Sequence, residues 1–307
     1  MKLGIKVGPN PSSFHDLDTT NPDMCEVWFD VSRENEYTPL FSKLTSMDID
    51  VGLHFWGVLP DKTWANIAYP DKTLNEASSV LIERTIDIAA SHGFKYVNIH
   101  PGARARIMLD FSTYTFTVMT KPADERIATE NFLMHATRLS EHAKHYGVTL
   151  TVETVPVRVI NDYAAHPENR TNAINVYELG LDAIRQTAHA GIAIANDFCH
   201  TAASYVDTDR TRIWKNLLQT TTDLASQTRL LHLGFVIPPY NGTDFHGDLD
   251  HPAFATSEAI PNTSEFVTLL KIFTDRPDVW ALVEPPKDHV KNYLLAKNYI
   301  ETAKNTP

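Results

Sequence analysis

Gly191-Ile192-Ala193-Ile194-Ala195-Asn196-Asp197-Phe198-Cys199-His200 is the stretch on which the fold turns. A helix-stopping glycine is followed by a short apolar run, and the run closes on an acid. Near-continuous apolar strands of this kind belong to parallel sheets buried on both faces. Asp197 at the carboxyl end either faces a cavity or caps the next helix. Three residues later His200 falls on the following turn, where it can face the same cavity.

Outward from this stretch the design recurs. Leu3–Val7, Glu26–Asp30, Asp50–His54, Tyr96–His100, Thr149–Glu153, Leu230–Leu233 and Trp280–Glu284 join Ile192–Asp197 as short runs rich in Val and Ile. Helical patterns separate most of them. Thr73-Leu74-Asn75-Glu76 matches a capping box, and Leu74, Ala77, Leu81 and Ile88 lead to a stop at Gly93. Asn131 to Tyr146 sets Phe132, Ala136, Leu139 and Ala143 on one face before Gly147, and Asn172 to Ala190 ends at Gly191. Eight strands alternating with helices predict an α/β fold, a (β/α)8 barrel, whose sites lie at the strands' carboxyl ends.

A barrel of this class accommodates all 307 residues as one domain, 1–307, with long loops at about 55–72 and 103–128. The first loop carries Trp56, Trp64 and Tyr69. In the second, Tyr114, Phe116 and Val118 alternate with threonines, which predicts a small hairpin or flap beside the site. Hydrophobic content of 43% and charged content of 21% suit a globular chain with a sizeable core. Cys25 and Cys199 are too few for a disulfide framework and form no CxxC motif. No run is apolar enough for a signal peptide or a membrane span, so a soluble cytoplasmic protein is expected, with no obligate protein partner evident. A net charge of −11 argues against tight nucleic-acid binding. Three bound divalent ions would bring it to about −5, which weakens that argument.

Nine candidate metal ligands sit at or just beyond strand ends: His54, His100, Glu153, Asp197, His200, His232, Asp244, His246 and Glu284. Glu153 and Glu284 close apolar strands, where a carboxylate needs either a cation or a salt-bridge partner. His54 and His100 hold matching places on the third and fourth strands. Asp244 and His246 alternate in an extended segment and so point to one side. Imidazole and carboxylate together make a good zinc environment. His92, His142, His145 and His189 fall late in helices, where positive charge suits the dipole, and read as surface residues. Arg33, Arg104, Trp56 and Tyr69 lie in strand-end loops and are candidates for substrate contact, the alternative being ordinary solvated arginines and packed aromatics.

With these residues in order, the chain resembles the endonuclease IV family of apurinic/apyrimidinic endonucleases, within the xylose-isomerase-like TIM barrel superfamily. The resemblance rests on His54, Trp64 to Pro70, Asn98 to Gly102, Glu153, Asp197 to His200, His232, Asp244 to His246 and Glu284. It implies three Zn2+ ions. His54 and His100 would bind one, with Glu153 bridging to a second. Asp197, His232 and Glu284 would complete the second, and His200, Asp244 and His246 would hold the third. The implied activity is phosphodiester hydrolysis, with abasic or damaged DNA as the family's substrate and Glu153 and Glu284 at the catalytic centre. The segments after Glu153 and His232 depart from the family, and the loop after His100 is enlarged.

A second reading is a sugar isomerase or epimerase with a single Mn2+ or Mg2+ on Glu153, Asp197, His232 and Glu284, two glutamates moving a proton beside a carbonyl. It leaves His54, His100, Asp244 and His246 without a role. A non-catalytic metal-binding barrel is a third.

Overall fold

The computed structural model describes residues 1–113, 115–156, 177–205, 207, 209–240, 242 and 244–306. Eight parallel strands close a barrel: β1 (Lys2–Val7), β2 (Met24–Asp30), β3 (Asp50–Trp56), β4 (Tyr96–Ile99), β7 (Thr149–Glu153), β8 (Ala193–Asp197), β9 (Thr228–His232) and β10 (Trp280–Val283). Each pairs with the next, and β10 returns to β1 with Leu3 opposite Ala281. The loop between β4 and β7 holds an antiparallel hairpin, β5 (Ile107–Asp110) and β6 (Thr115–Val118), with Leu109 opposite Phe116. The alternation expected there is thus a flap of two short strands; Tyr114 lies outside the described residues.

Helices α1 (Pro11–Thr20), α2 (Thr38–Ser46), α3 (Lys72–Ser91), α4 (Glu125–His145), α5 (Leu181–His189), α6 (Phe198–Ala203), α7 (Arg210–Leu224), α8 (Thr263–Lys271) and α9 (His289–Asn305) follow the strands. Three helix starts differ from the sequence expectation. Asp71, rather than Thr73, caps α3 by accepting from the Leu74 amide. Asp124 caps α4, which therefore begins six residues before Asn131. The helix expected from Asn172 begins at Leu181; residues 172–176 lie outside the described residues, and Tyr177 at φ 58° is left-handed, not helical. No helix among the described residues is long and apolar enough to cross a membrane.

Strand alternation sorts the side chains. Residues facing out, such as Val27, Leu53, Val97, Val152 and Ile194, pack beneath the helices in one large apolar cluster. Residues facing in form layers. The lowest layer is Met24, Tyr96, Ala195, Leu230 and Leu282, all fully buried, with Trp280 against them. The Tyr96 ring lies 4.7 Å from that of Trp280, and the space for it comes from Gly52, where a Cβ would stand 2.0 Å from the tyrosine Cζ.

Gly52→Ala is therefore expected to cost about 1–3 kcal/mol of stability through overpacking. Adding Tyr96→Leu should recover part of the loss, because the two positions share one space. Urea denaturation of the single and double variants measures this, and additive losses would contradict it.

Candidate metal centre

Above the apolar floor the inward positions turn polar. Alternation along β2 carries Met24, Glu26 and Trp28 inward, and along β3 it carries Gly52, His54 and Trp56. Lys6 of β1 and Glu26 are register partners, as are Asp197 of β8 and His232 of β9. Glu153 ends β7, Glu284 follows β10 and His100 follows β4. His200 sits in the first turn of α6, which Asp197 caps by accepting from the His200 amide at 2.9 Å. Asp197 thus turns one oxygen to the helix and leaves the other for the cavity. The loop bearing Asp244 and His246 is held by Cys199, whose thiol donates to the Phe245 carbonyl at 3.1 Å while the Phe245 amide donates back to sulfur.

Ligand atoms within 4.8 Å of one another fall into four groups: His54, His100 and Glu153; Glu153, Asp197, His232 and Glu284; His200, Asp244 and His246; and Glu26, His54, His232 and Glu284. The first three hold all nine residues singled out in the sequence. Spacing within them suits a metal. Two ligands about 2.0–2.1 Å from a tetrahedral zinc stand roughly 3.4 Å apart. His54 Nε2 lies 3.4 Å from Glu153 Oε2, His200 Nε2 3.2 Å from Asp244 Oδ1, and His232 Nδ1 3.5 Å from Glu284 Oε2. His54 Nε2 and His200 Nε2 are nevertheless buried without a hydrogen bond. Each stands beside a carboxylate, at a distance two ligands of one cation would keep, without bonding to it. The residues present therefore fit a divalent metal.

Outer partners set which nitrogen each imidazole presents. His200 Nδ1 lies 2.8 Å from the Thr154 carbonyl and His100 Nδ1 3.0 Å from Glu178 Oε1, so both rings can donate outward and keep Nε2 free. Asn98 donates to Glu153 Oε2 at 2.5 Å and accepts from Thr151, fixing that carboxylate. His54 differs: its outer nitrogen faces Lys6 Nζ at 2.6 Å. Lys6 also pairs with Glu26 Oε1 at 2.5 Å and with Glu284.

Charge follows the same logic. Burial pushes the carboxyls of Glu153 and Glu284 upward, but the imidazole of His232 with His54 or Lys6 holds both well below the ordinary range. Burial lowers the imidazoles of His200 and His232 in turn, yet the surrounding carboxylates raise them well above the usual value. Burial wins at Asp197, whose carboxyl is raised. Burial opposes the Lys6 ammonium, and Glu26, Glu284 and Glu153 outweigh it and raise its pKa. The centre demands positive charge, which protons supply where metal does not.

His54, His100, His200, Asp244, His246 and Glu284 line a cavity of about 380 Å³ walled by Trp28, Trp56, Trp64 and Phe116, the last from the hairpin. Trp56 and Trp64 are stacked with centroids 6.1 Å apart. Of the four candidate substrate contacts, Trp56 lines this cavity. Arg33 does not, because its guanidinium is paired at the surface with Glu36. Arg104 is turned to the Ala123 carbonyl and the Tyr177 ring. Tyr69 is half-buried where its carbonyl accepts from Asn75, ahead of α3. The sequence reading missed Lys6, Glu26, Asn98 and Glu178. Lys6 carried a signal, a charge inside an otherwise apolar strand, and Glu26 carries the same one once its strand is extended to Met24.

The family described as xylose isomerase-like TIM barrel matches residues 44–233. No curated protein matches significantly. Among solved structures, a D-tagatose 3-epimerase-like protein is 15% identical with a TM-score of 0.66, over 99% of this chain and 98% of its own. An L-ribulose 3-epimerase is 14% identical at 0.64, over 99% and 95%. Endonuclease IV from Thermus thermophilus is 12% identical at 0.54, over 98% and 100%. At these identities the likeness concerns the fold.

Without metal, stability is expected to depend on pH through His246. Burial disfavours its charged ring, but Asp244, 3.0 Å away, lifts its pKa to about 9. That exceeds the unfolded value of about 6.5. The stabilisation is therefore complete below about pH 6.5 and is lost as pH rises through about 9. Melting temperatures in chelator from pH 6 to 10 should fall across this window, and His246→Asn should flatten the fall. Equal slopes in both proteins would contradict the assignment.

Proposed function

This chain belongs to the xylose isomerase-like TIM barrel family, and from that premise we propose that it is a zinc-dependent phosphoester hydrolase with a three-ion centre. The observation that supports this reading is the assembly of His54, His100, His200, Asp244 and His246 into clusters beside the one formed by Glu153, Asp197, His232 and Glu284. A mononuclear sugar enzyme needs the last four alone. The other five are built in at a cost, buried or half-buried among carboxylates, and two are oriented by their own partners, Glu178 and the Thr154 carbonyl.

Zinc in these positions supplies Lewis acidity and a water nucleophile at neutral pH. The chain's own groups do the rest. Glu153 contributes one oxygen to each of two clusters and so sets the distance between them, and Asn98 keeps it from rotating. Glu284 closes the second cluster. Trp28, Trp56, Trp64 and Phe116 exclude water from one side and offer faces for a ring. The substrate we propose is a compact phosphoester bearing a ring, since a cavity of about 380 Å³ lies at the lower end of the range for small-molecule sites. An abasic nucleotide turned out of a duplex is the larger alternative.

One observation favours the isomerase reading. Glu153 and Glu284 present oxygens within 4.8 Å of each other, with Asp197 and His232 completing a four-ligand set. In that case the two glutamates move a proton between adjacent carbons of a ketose around one Mn2+ or Mg2+.

Metal analysis with activity decides between them. About three zinc ions per chain are expected, with hydrolysis of a phosphodiester panel or nicking of an abasic duplex. Glu153→Gln should lower hydrolysis by more than about 100-fold. A single retained Mn2+ with ketose turnover would overturn the hydrolase. Glu178→Ala should weaken one ion by about 10–100-fold and leave the others; equilibrium dialysis reads this, and an unchanged isotherm would remove Glu178 from the centre.

A further inference from the structure

His54 is held differently from the other imidazoles of the centre. His100 and His200 turn their outer nitrogens to acceptors, Glu178 and the Thr154 carbonyl. His54 Nδ1 instead stands 2.6 Å from the ammonium of Lys6. An ammonium has three donors and no acceptor, so the ring nitrogen facing it must accept. A neutral imidazole carries one proton, which then resides on Nε2. That is the atom 3.4 Å from Glu153 Oε2 in the cluster with His100, and a protonated nitrogen has no lone pair for a metal. With Lys6 in this place, His54 is in the tautomer that cannot ligate.

The alternative arrangement is also built in. Glu26 Oε1 lies 3.4 Å and Glu284 Oε1 3.7 Å from the same Nδ1. Both carboxylates already hold the Lys6 ammonium. A lysine turned wholly to those carboxylates would free Nδ1 to donate to one of them. The ring proton moves to Nδ1, Nε2 recovers its lone pair, and charge is conserved throughout. His54 Nε2 and Glu26 Oε2, both buried without hydrogen bonds in the present arrangement, mark the interactions left open.

We propose that Lys6 is a latch on the tautomer of His54, a positioning residue that makes the ion at His54, His100 and Glu153 the weakest-held and most readily exchanged of the centre. The proposal rests on the metal reading for the ion's place alone. The tautomer is read without any ion, so the two can fail separately.

Long-range proton–nitrogen correlation spectra of the ¹⁵N-histidine-labelled wild-type protein in chelator read the ring directly. The expected result is a protonated Nε2 and an unprotonated Nδ1 at His54, changing to a protonated Nδ1 when Zn2+ is added. A protonated Nδ1 before metal, or a doubly protonated ring, would overturn the latch. Zinc titration against a chromophoric chelator gives the second readout. Lys6→Met should tighten the weakest step by about 10–100-fold. Lys6→Met with Glu26→Gln removes the ammonium at constant local charge and should tighten the same step. Tightening in the single variant alone would assign the effect to charge and sink the latch. If neither variant folds, the wild-type spectra decide.

Discussion

Glu26, Glu153, Asp197 and Glu284 place four carboxylates inside a barrel whose walls and floor are apolar, and Glu26 and Glu153 are fully buried. Ionised carboxylates removed from water must be paired, hydrogen-bonded or bound to metal. The remainder of the centre answers that requirement. Lys6 brings an ammonium from β1, imidazoles approach from β3, β9 and the loops, and Asn98 donates an amide. The raised pKa values of His200 and His232 express the same need in protons. A metal bound there would thus compete with protons for one set of lone pairs, and its uptake would be coupled to proton release.

The barrel's twofold alternation makes this possible without harming the fold. Inward positions are free to be polar above the floor because outward ones, such as Val27, Leu53, Val97 and Ile194, carry the packing against the helices. The hairpin adds a separate element. It hangs from the β4–α4 connection, touches the cavity through Phe116 and bridges to Thr63 through Met108. The candidate ligands belong to the barrel and its short loops, while the cavity wall belongs partly to the hairpin.

Much of this could be read in the residues themselves. The eight strands announced themselves as apolar runs, and each ligand that closes a run was visible because a charge there interrupts the pattern. Glu26 was hidden by its strand's true start. With Met24 and Cys25 included it lies mid-strand and inward, whereas a strand beginning at Glu26 makes it a terminal residue. Lys6 was hidden by the habit of reading lysine as solvated, which fails where carboxylates converge from β2 and the end of β10. Glu178 and Asn98 act on other ligands, and spacing along the chain says nothing about partners 78 and 55 residues away. Arg33 and Arg104 lay in suitable loops, but nearby Glu36 and the Ala123 carbonyl had prior claim on their guanidinium groups.

The apolar floor has one more consequence. Tyr96, Trp280, Met24, Leu230 and Leu282 seal the amino-terminal end of the barrel, which is a packed core and not a pore. Among the described residues, the cavity above it is accordingly closed at that end. A polymer cannot be threaded through it, so a long substrate must offer a terminus or a unit swung out of line. What enters the cavity cannot leave through that end, and Trp28, Trp56 and Trp64 stand in the wall it passes.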